Sequence, residues 1–337
     1  VWLNDKEASM TANKDLKKII RARQQKTGES YTTARLQVLR TRDASLDGKS
    51  LRKELIAGYI LKSNQTSIRV HIPESNETLT MRTNSIDAWY AVPGQCIEAI
   101  VTNRWAWRGV AYASGAISRA WTNVKALGLE PLPLEDEGFI DLTSMSEPFE
   151  QPDPYAEMWD FFVSVPRKAF RFHEIAWGAG VGVDTKDPEG NLVQDAVEIS
   201  GYDPGGARQL LTKALSYDMR CIDAHAHWGN LCFDHWPKVA VAHYEVGIGI
   251  GDLSLGPDFD ALLPWGYIYN RPYLRCLHGY GLCLWRLGSV DKARAIFERI
   301  LSLNPIDNQG IRFLWNDIRS GRPWKASDEA EKKPTLV

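Results

Sequence analysis

Two of the chain's seven histidines stand in the run Asp223-Ala224-His225-Ala226-His227. An HxH that leaves an apolar strand opens the metal site of amidohydrolases, because residues i and i+2 of a strand share a face and both imidazoles reach one cation. On a helix the same two residues stand about 200° apart and cannot share an ion. The surrounding CIDAHAHWGNLCF has helical spacing and lies two thirds of the way along the chain, whereas a barrel hydrolase needs its HxH near the first strand. The run therefore reads as a structural helix, with His225 or His227 packed beside Trp228 and no metal bound. His235, His243 and His278 have no partner at ligand spacing. Cys96, Cys221, Cys232, Cys276 and Cys283 form no CxxC, which argues against a zinc knuckle and a disulfide framework and leaves buried thiols. GAGVG, within 178–191, is half a dinucleotide fingerprint. No apolar strand leads into it, and Asp184 and Pro188 interrupt any helix after it, so no cofactor is expected.

Charge and aromatic stacking offer the remaining chemistry. Residues 1–53 carry thirteen Lys and Arg against six Asp and Glu, while 126–166 hold ten acidic residues and no basic one. KDLKKIIRARQQK puts Leu16, Ile19 and Ile20 on one helical face and displays Lys14, Lys17, Lys18, Arg21, Arg23 and Lys26. These cations are either phosphate contacts acting by counterion release or a solvated face. In NRWAWRG, Trp105 and Trp107 share one side of a strand, flanked by Arg104 and Arg108. Such a set stacks on bases or grips a peptide, as in small barrels of the oligonucleotide-binding kind, or is cross-strand packing. A third set, Trp265, Tyr267, Arg271, Tyr273 and Arg275, lies in and just after an insert, with Arg271 and Arg275 suited to an acidic or C-terminal carboxylate.

The elements that must position these groups are of two kinds. Residues 54–118 change period to short, β-rich segments (ELIAGYI, TSIRVHI, ETLTMRT, AWYAV, QCIEAIV, VAYASGAI) divided by turn material such as SNQT, PESN and PGQ, which predicts five or six antiparallel strands in a small barrel or curled sheet over 51–120. From 205 to 320 the pattern is helical. Ala207, Leu211 and Ala214 recur as Ala240, Tyr244 and Gly247 and again as Ala293, Phe297 and Ile300, a small-large-small spacing that fits the second helix of a tetratricopeptide repeat. In the best unit, 274–307, Gly281 (and Gly229 in the unit before it) would sit at a helix crossing, Gly288 in the inter-helix turn, and Pro305 would stop the second helix after LSLN. The first marks lie 33 residues apart and the next 53, so about twenty residues, DLSLGPDFDALLPWGYIYNRP, form an insert that reads as a binding loop. A basic helical hairpin (13–50) precedes the barrel. A Pro/Gly-rich acidic connection (121–204), with a short helix expected at 159–165, follows it. Residues 1–12 and 321–337 are expected to be disordered, and Met10, at the head of the first helical pattern, marks the preceding nine as an upstream extension.

The α+β chain of 337 residues has net charge -2 and 44% hydrophobic residues, which excludes a disordered chain and a polycation made for nucleic acid. No apolar run is long enough to span a membrane and VWLNDKEASM lacks a signal-peptide pattern, so no membrane partner and a cytoplasmic location are expected. The runs RCIDAHAHWGNLCFDHWPKVAVAHYEVGIGIGDLSLG, LPWGYIYNRPYLRCLHGYGLCLWRLG and LNPIDNQGIRFL resemble a family of uncharacterised bacterial cytoplasmic tetratricopeptide-repeat proteins, over residues 100–320. KDLKKIIRARQQKTGESYTTAR resembles a short basic module that heads otherwise unrelated bacterial proteins. The resemblance implies a repeat fold and an intracellular location, and no reaction. Two functions follow as expectations. One is a protein-protein interaction scaffold holding a peptide or protein segment. The other is a nucleic-acid-associated regulator using the basic helices and the hairpin tryptophans. An enzyme would need the HxH geometry that a helix denies.

Overall fold

The computed structural model describes residues 18, 20–25, 27, 34, 38, 53–139, 171–175 and 188–324. The chain divides into two units, Val1–Lys53 and Glu54–Val337. In the first, every described residue but Lys53 is helical, with Ile20 and Ala34 buried and Lys18 and Arg21 exposed. Lys14, Lys17 and Lys26 lie outside the described residues, as do 1–12.

The second unit begins with a closed barrel: β1 (Glu54–Ser63), β2 (Ser67–Ile72), β3 (Glu77–Arg82), β4 (Gln95–Trp107) and β5 (Val110–Thr122), hydrogen-bonded in the order β1-β2-β3-β5-β4 and closed by β1 on β4. Alternation dictates it: Ile68, Val70 and Ile72 fill the interior with Leu79, Met81 and Ile97, while Ser67, Arg69 and His71 face out. Two expectations are corrected here. The sheet is not wholly antiparallel, since β3 and β5 run parallel from Leu79↔Ala111 to Arg82↔Ser114, which requires a crossover between them. And AWYAV is not a strand. Asn84 accepts from Asp87 N (2.8 Å) and caps a short helix, α1 (Ser85–Tyr90), with Ala88 buried beneath it.

The region read as a connection is also structured. β6 (Leu134–Phe139) and β7 (Arg171–Ile175) form a two-stranded antiparallel sheet, and α2 covers Pro188–Ile199. The short helix expected at 159–165 and the GAGVG segment lie outside the described residues. Among the described residues seven helices follow the sheet: α2, α3 (Pro204–Tyr217), α4 (Ile222–Cys232), α5 (Pro237–Leu255), α6 (Arg271–Arg286), α7 (Val290–Leu303) and α8 (Arg312–Arg319). α2 packs on α3, α4 on α5 and α6 on α7, so among the described residues the helical part extends N-terminal of the expected 205 and holds three hairpins. Ala207, Ala240 and Ala293 each stand fourth in the second helix of a hairpin, and all three are buried. A Cβ on Gly229 would lie 2.4 Å from the Tyr244 ring and one on Gly281 2.8 Å from Phe297, so a glycine at each crossing lets the paired helix approach. The chain past 320 is not all free: Trp285 Nε1 donates to Arg322 O (2.7 Å), and Trp324 packs edge-on against Trp285. No helix among the described residues is long and apolar enough to cross a membrane.

Candidate functional site

The β4–β5 hairpin turns on Arg108 and Gly109, both at positive φ (50° and 76°), the conformation of a two-residue turn that suits the strand twist. This tight tip leaves Trp107 opposite Val110 and 57% exposed, with the Arg108 guanidinium 4.5 Å over its ring. Two residues back, Trp105 pairs with Tyr112 across the hairpin, their rings nearly parallel at 5.6 Å, and Arg82 of β3 reaches over the indole at 5.6 Å. Register continues the row outward from Tyr112 to Thr80 and then to Arg69. Arg69, Arg82 and Arg108 have no carboxylate partner among the described residues. Arg104, by contrast, is committed: Glu54 accepts from its Nε (2.8 Å) and Glu77 from its Nη1, and these carboxylates raise its pKa further. The tryptophans are legible in the sequence. Arg69, Arg82 and Tyr112 are what sequence reasoning misses, though the strict alternation of β2 and β3 marks both arginines as outward-facing.

The insert is not a free loop, and of the binding set placed on it only Tyr273 is fully buried. Leu262 N donates to Arg171 O (2.8 Å) and His173 N to Leu262 O (2.9 Å), so the insert docks on β7. Tyr267 packs on Phe172 at 5.0 Å. Asn270 is buried and binds β7 at Ile175 N and His173 O. Tyr273 is fully buried and donates to Asp252 Oδ1 (2.6 Å). Arg271 Nε donates to Trp265 O (2.9 Å), and Arg275 donates to the buried Asp223 carboxylate at 2.7 Å. Both guanidinia lie near the Trp265 ring, at 5.5 and 5.7 Å.

Helix α4 separates the two histidines of the HxH. His225 is buried with Nδ1 3.3 Å from Nδ1 of His243, so His243 does have a partner, one that linear spacing cannot reveal. His227 Nε2 points instead to Asp223 at 3.5 Å. Burial lowers His225 to about 3, and it holds His243 well below the usual imidazole value with the nearby His225 and Arg208 adding to the effect. The pair is therefore neutral at physiological pH, one ring donating and the other accepting. No group of three or more potential metal ligands is present among the described residues.

A line of clefts follows the first helices of the hairpins. One of about 200 Å³ lies between α2 and α4, lined by Val197, His227 and Asn230. The next, about 310 Å³, shares Asn230 and adds Arg275 and His278. The last, about 820 Å³, shares His278 and reaches Phe313 on α8. No protein-family model, curated protein or solved structure matches the chain.

Proposed function

We propose that the barrel binds single-stranded nucleic acid on the outer face of β2 and β3 and the β4–β5 hairpin. Its connectivity, order 1-2-3-5-4 with a helix between the third and fourth strands, is that of oligonucleotide/oligosaccharide-binding barrels, which take ligands on this face; that much is analogy of fold. The observation that carries the reading is chemical. Trp107 and the Trp105–Tyr112 stack form an aromatic platform beside three arginines with no carboxylate partner among the described residues. Bases stack on any exposed π-face at about 1–3 kcal/mol each, and guanidinia meet the phosphates between them. The tethered basic unit, with Lys18 and Arg21 exposed, adds counterion release without sequence preference. The five cysteines are all buried thiols outside any disulfide, which suits work in a reducing cytoplasm.

The test is fluorescence anisotropy with labelled single-stranded DNA and RNA of about twelve nucleotides in about 150 mM salt. Micromolar or tighter binding by the full chain, lost in Trp105→Ala/Trp107→Ala, is expected. Binding that survives the double substitution overturns the reading.

A second reading is favoured by the clefts on the first helices. The equal placement of Ala207, Ala240 and Ala293 and the glycine-aromatic crossings support three repeats of the tetratricopeptide kind. In such arrays the first helices line the binding surface, and the run from Val197 through Asn230 and His278 to Phe313 would take an extended peptide or protein segment. Arg275, a residue of the sequence-derived partner set, lies on this run rather than on the insert.

A further inference from the structure

A separate group of positive charges lies where the β1–β2 loop faces α3, in a cleft of about 610 Å³. Lys62, Asn64 and Gln65 line it from the barrel, Arg208, Thr212 and Lys213 from the helix, and no acidic side chain does so among the described residues. Arg208 is partly buried, its guanidinium held 4.1 Å from the Trp89 ring and 5.6 Å from that of Trp228. No carboxylate among the described residues pairs with it, and burial lowers its pKa. A guanidinium stripped of water without a counter-charge is costly, and an anion in the cleft removes that cost. Lys62 and Lys213, exposed on opposite walls, are likewise unpaired among the described residues. The acid at the head of α3, Asp203, is engaged as its N-cap and accepts from Gly206 N (2.9 Å).

The cleft also begins where the aromatic face ends. Arg82, which lies over Trp105, is the register partner of Ser67, and Thr83 N donates to Thr66 O (3.1 Å) in the loop that forms the barrel-side wall. The geometry points to a phosphate-binding cleft that takes the sugar-phosphate backbone of a strand leaving the barrel, with Lys62, Arg208 and Lys213 as its contacts; this rests on the nucleic-acid reading of the barrel. Phosphodiester oxygens suit the set because guanidinium and ammonium both donate and, among the described residues, no side chain lining the cleft competes as an anion.

Anisotropy titrations of the full chain with oligothymidylates of about four and about sixteen nucleotides, each across a salt series, separate the two surfaces. For Lys62→Glu/Lys213→Glu, the short strand is expected to bind as it does to the native chain. The long strand should bind at least about ten-fold more weakly, with a log-log salt slope shallower by about 1.4, two contacts at ~0.7 each. Arg208→Gln, checked by thermal unfolding, should follow the same pattern. If the long strand keeps its affinity and slope in the lysine variant yet is lost in Trp105→Ala/Trp107→Ala, the cleft assignment is overturned and the barrel reading stands. Equal losses for both lengths also overturn it, by placing the lysines on the barrel face. Failure of both lengths to bind the native chain overturns both readings.

Discussion

On the barrel, Trp107 is more than half exposed and the arginine over it has no carboxylate partner among the described residues; in the helical region, Trp265 carries two guanidinia that are both bound elsewhere, one to its own carbonyl and one to Asp223. The residue types are the same and the outcomes differ because of what surrounds them. A two-residue turn leaves Trp107 and Val110 exposed at the end of the sheet. The insert lies between β7 and α6, where backbone carbonyls take up Asn270 and Arg271 and the Asp252 and Asp223 carboxylates take up Tyr273 and Arg275 just after it. An Arg–Trp pair marks a ligand face only where the arginine's hydrogen bonds are left over.

Substitution should separate the regions most sharply at their aromatic residues. Tyr273 packs against Gly251, where a Cβ would lie 2.1 Å from its ring, and Tyr273→Ala should cost about 3–5 kcal/mol in denaturant unfolding through the cavity and the lost bond to Asp252. A loss under about 1 kcal/mol would put Tyr273 back among the exposed partner contacts.

Acid should act on the helical region next. His225 is lowered to about 3 and His278 to about 4 by burial, and His243 is also depressed. Each folded-state value lies below the ~6.5 of an unfolded imidazole, so the unfolded chain binds more protons in this range. Stability is then full above about pH 6.5 and falls towards pH 4 and 3, by roughly 2 kcal/mol each for His225 and His278 between pH 7 and 5. Unfolding free energies that stay flat over that interval in the native chain, and match those of His225→Gln, would remove the neutral buried pair from the account.

How far the sequence discloses all this depends on whether a contact is local. The second helices of the hairpins are legible because an alanine recurs four residues before a leucine or aromatic (Ala207/Leu211, Ala240/Tyr244, Ala293/Phe297), as a close crossing requires, and Gly229 and Gly281 follow from the same requirement. The barrel strands are legible from short β-rich segments divided by turn residues. The parallel β3–β5 closure is not, since no local pattern distinguishes strand direction. α1 is masked by the β-prone Trp89 and Tyr90, although Asn84 is a cap signal three residues before Asp87. Tyr273 and Arg275 look available because the carboxylates that engage them stand 21 and 52 residues upstream. His225 and His243, 18 residues apart, meet only through the packing of α4 on α5.

Overpacking a crossing sharpens the contrast at smaller scale. Gly281→Leu should drive a side chain into the Phe297 ring and cost about 1–3 kcal/mol, read as a lower thermal midpoint. Gly109→Ala, by comparison, meets no atom within 4 Å, and its penalty comes only from the positive φ of the turn. An unchanged midpoint for Gly281→Leu would mean that α6 and α7 do not cross at that residue.

The smallest effect on stability should come with the most informative effect on binding. Trp107 touches the fold mainly through Arg108 beside it, so Trp107→Ala should change unfolding free energy by no more than about 0.5 kcal/mol. The same substitution removes one face on which a base can stack, and affinity for a single strand should fall about ten-fold, within the range of one stacking contact. Trp107→Phe should recover much of that loss, because a phenyl ring still offers a π-face, while neither variant alters the salt slope, since no phosphate contact is removed. A change in slope with Trp107→Ala would instead show that the indole serves to hold Arg108 in place and that the guanidinium makes the contact.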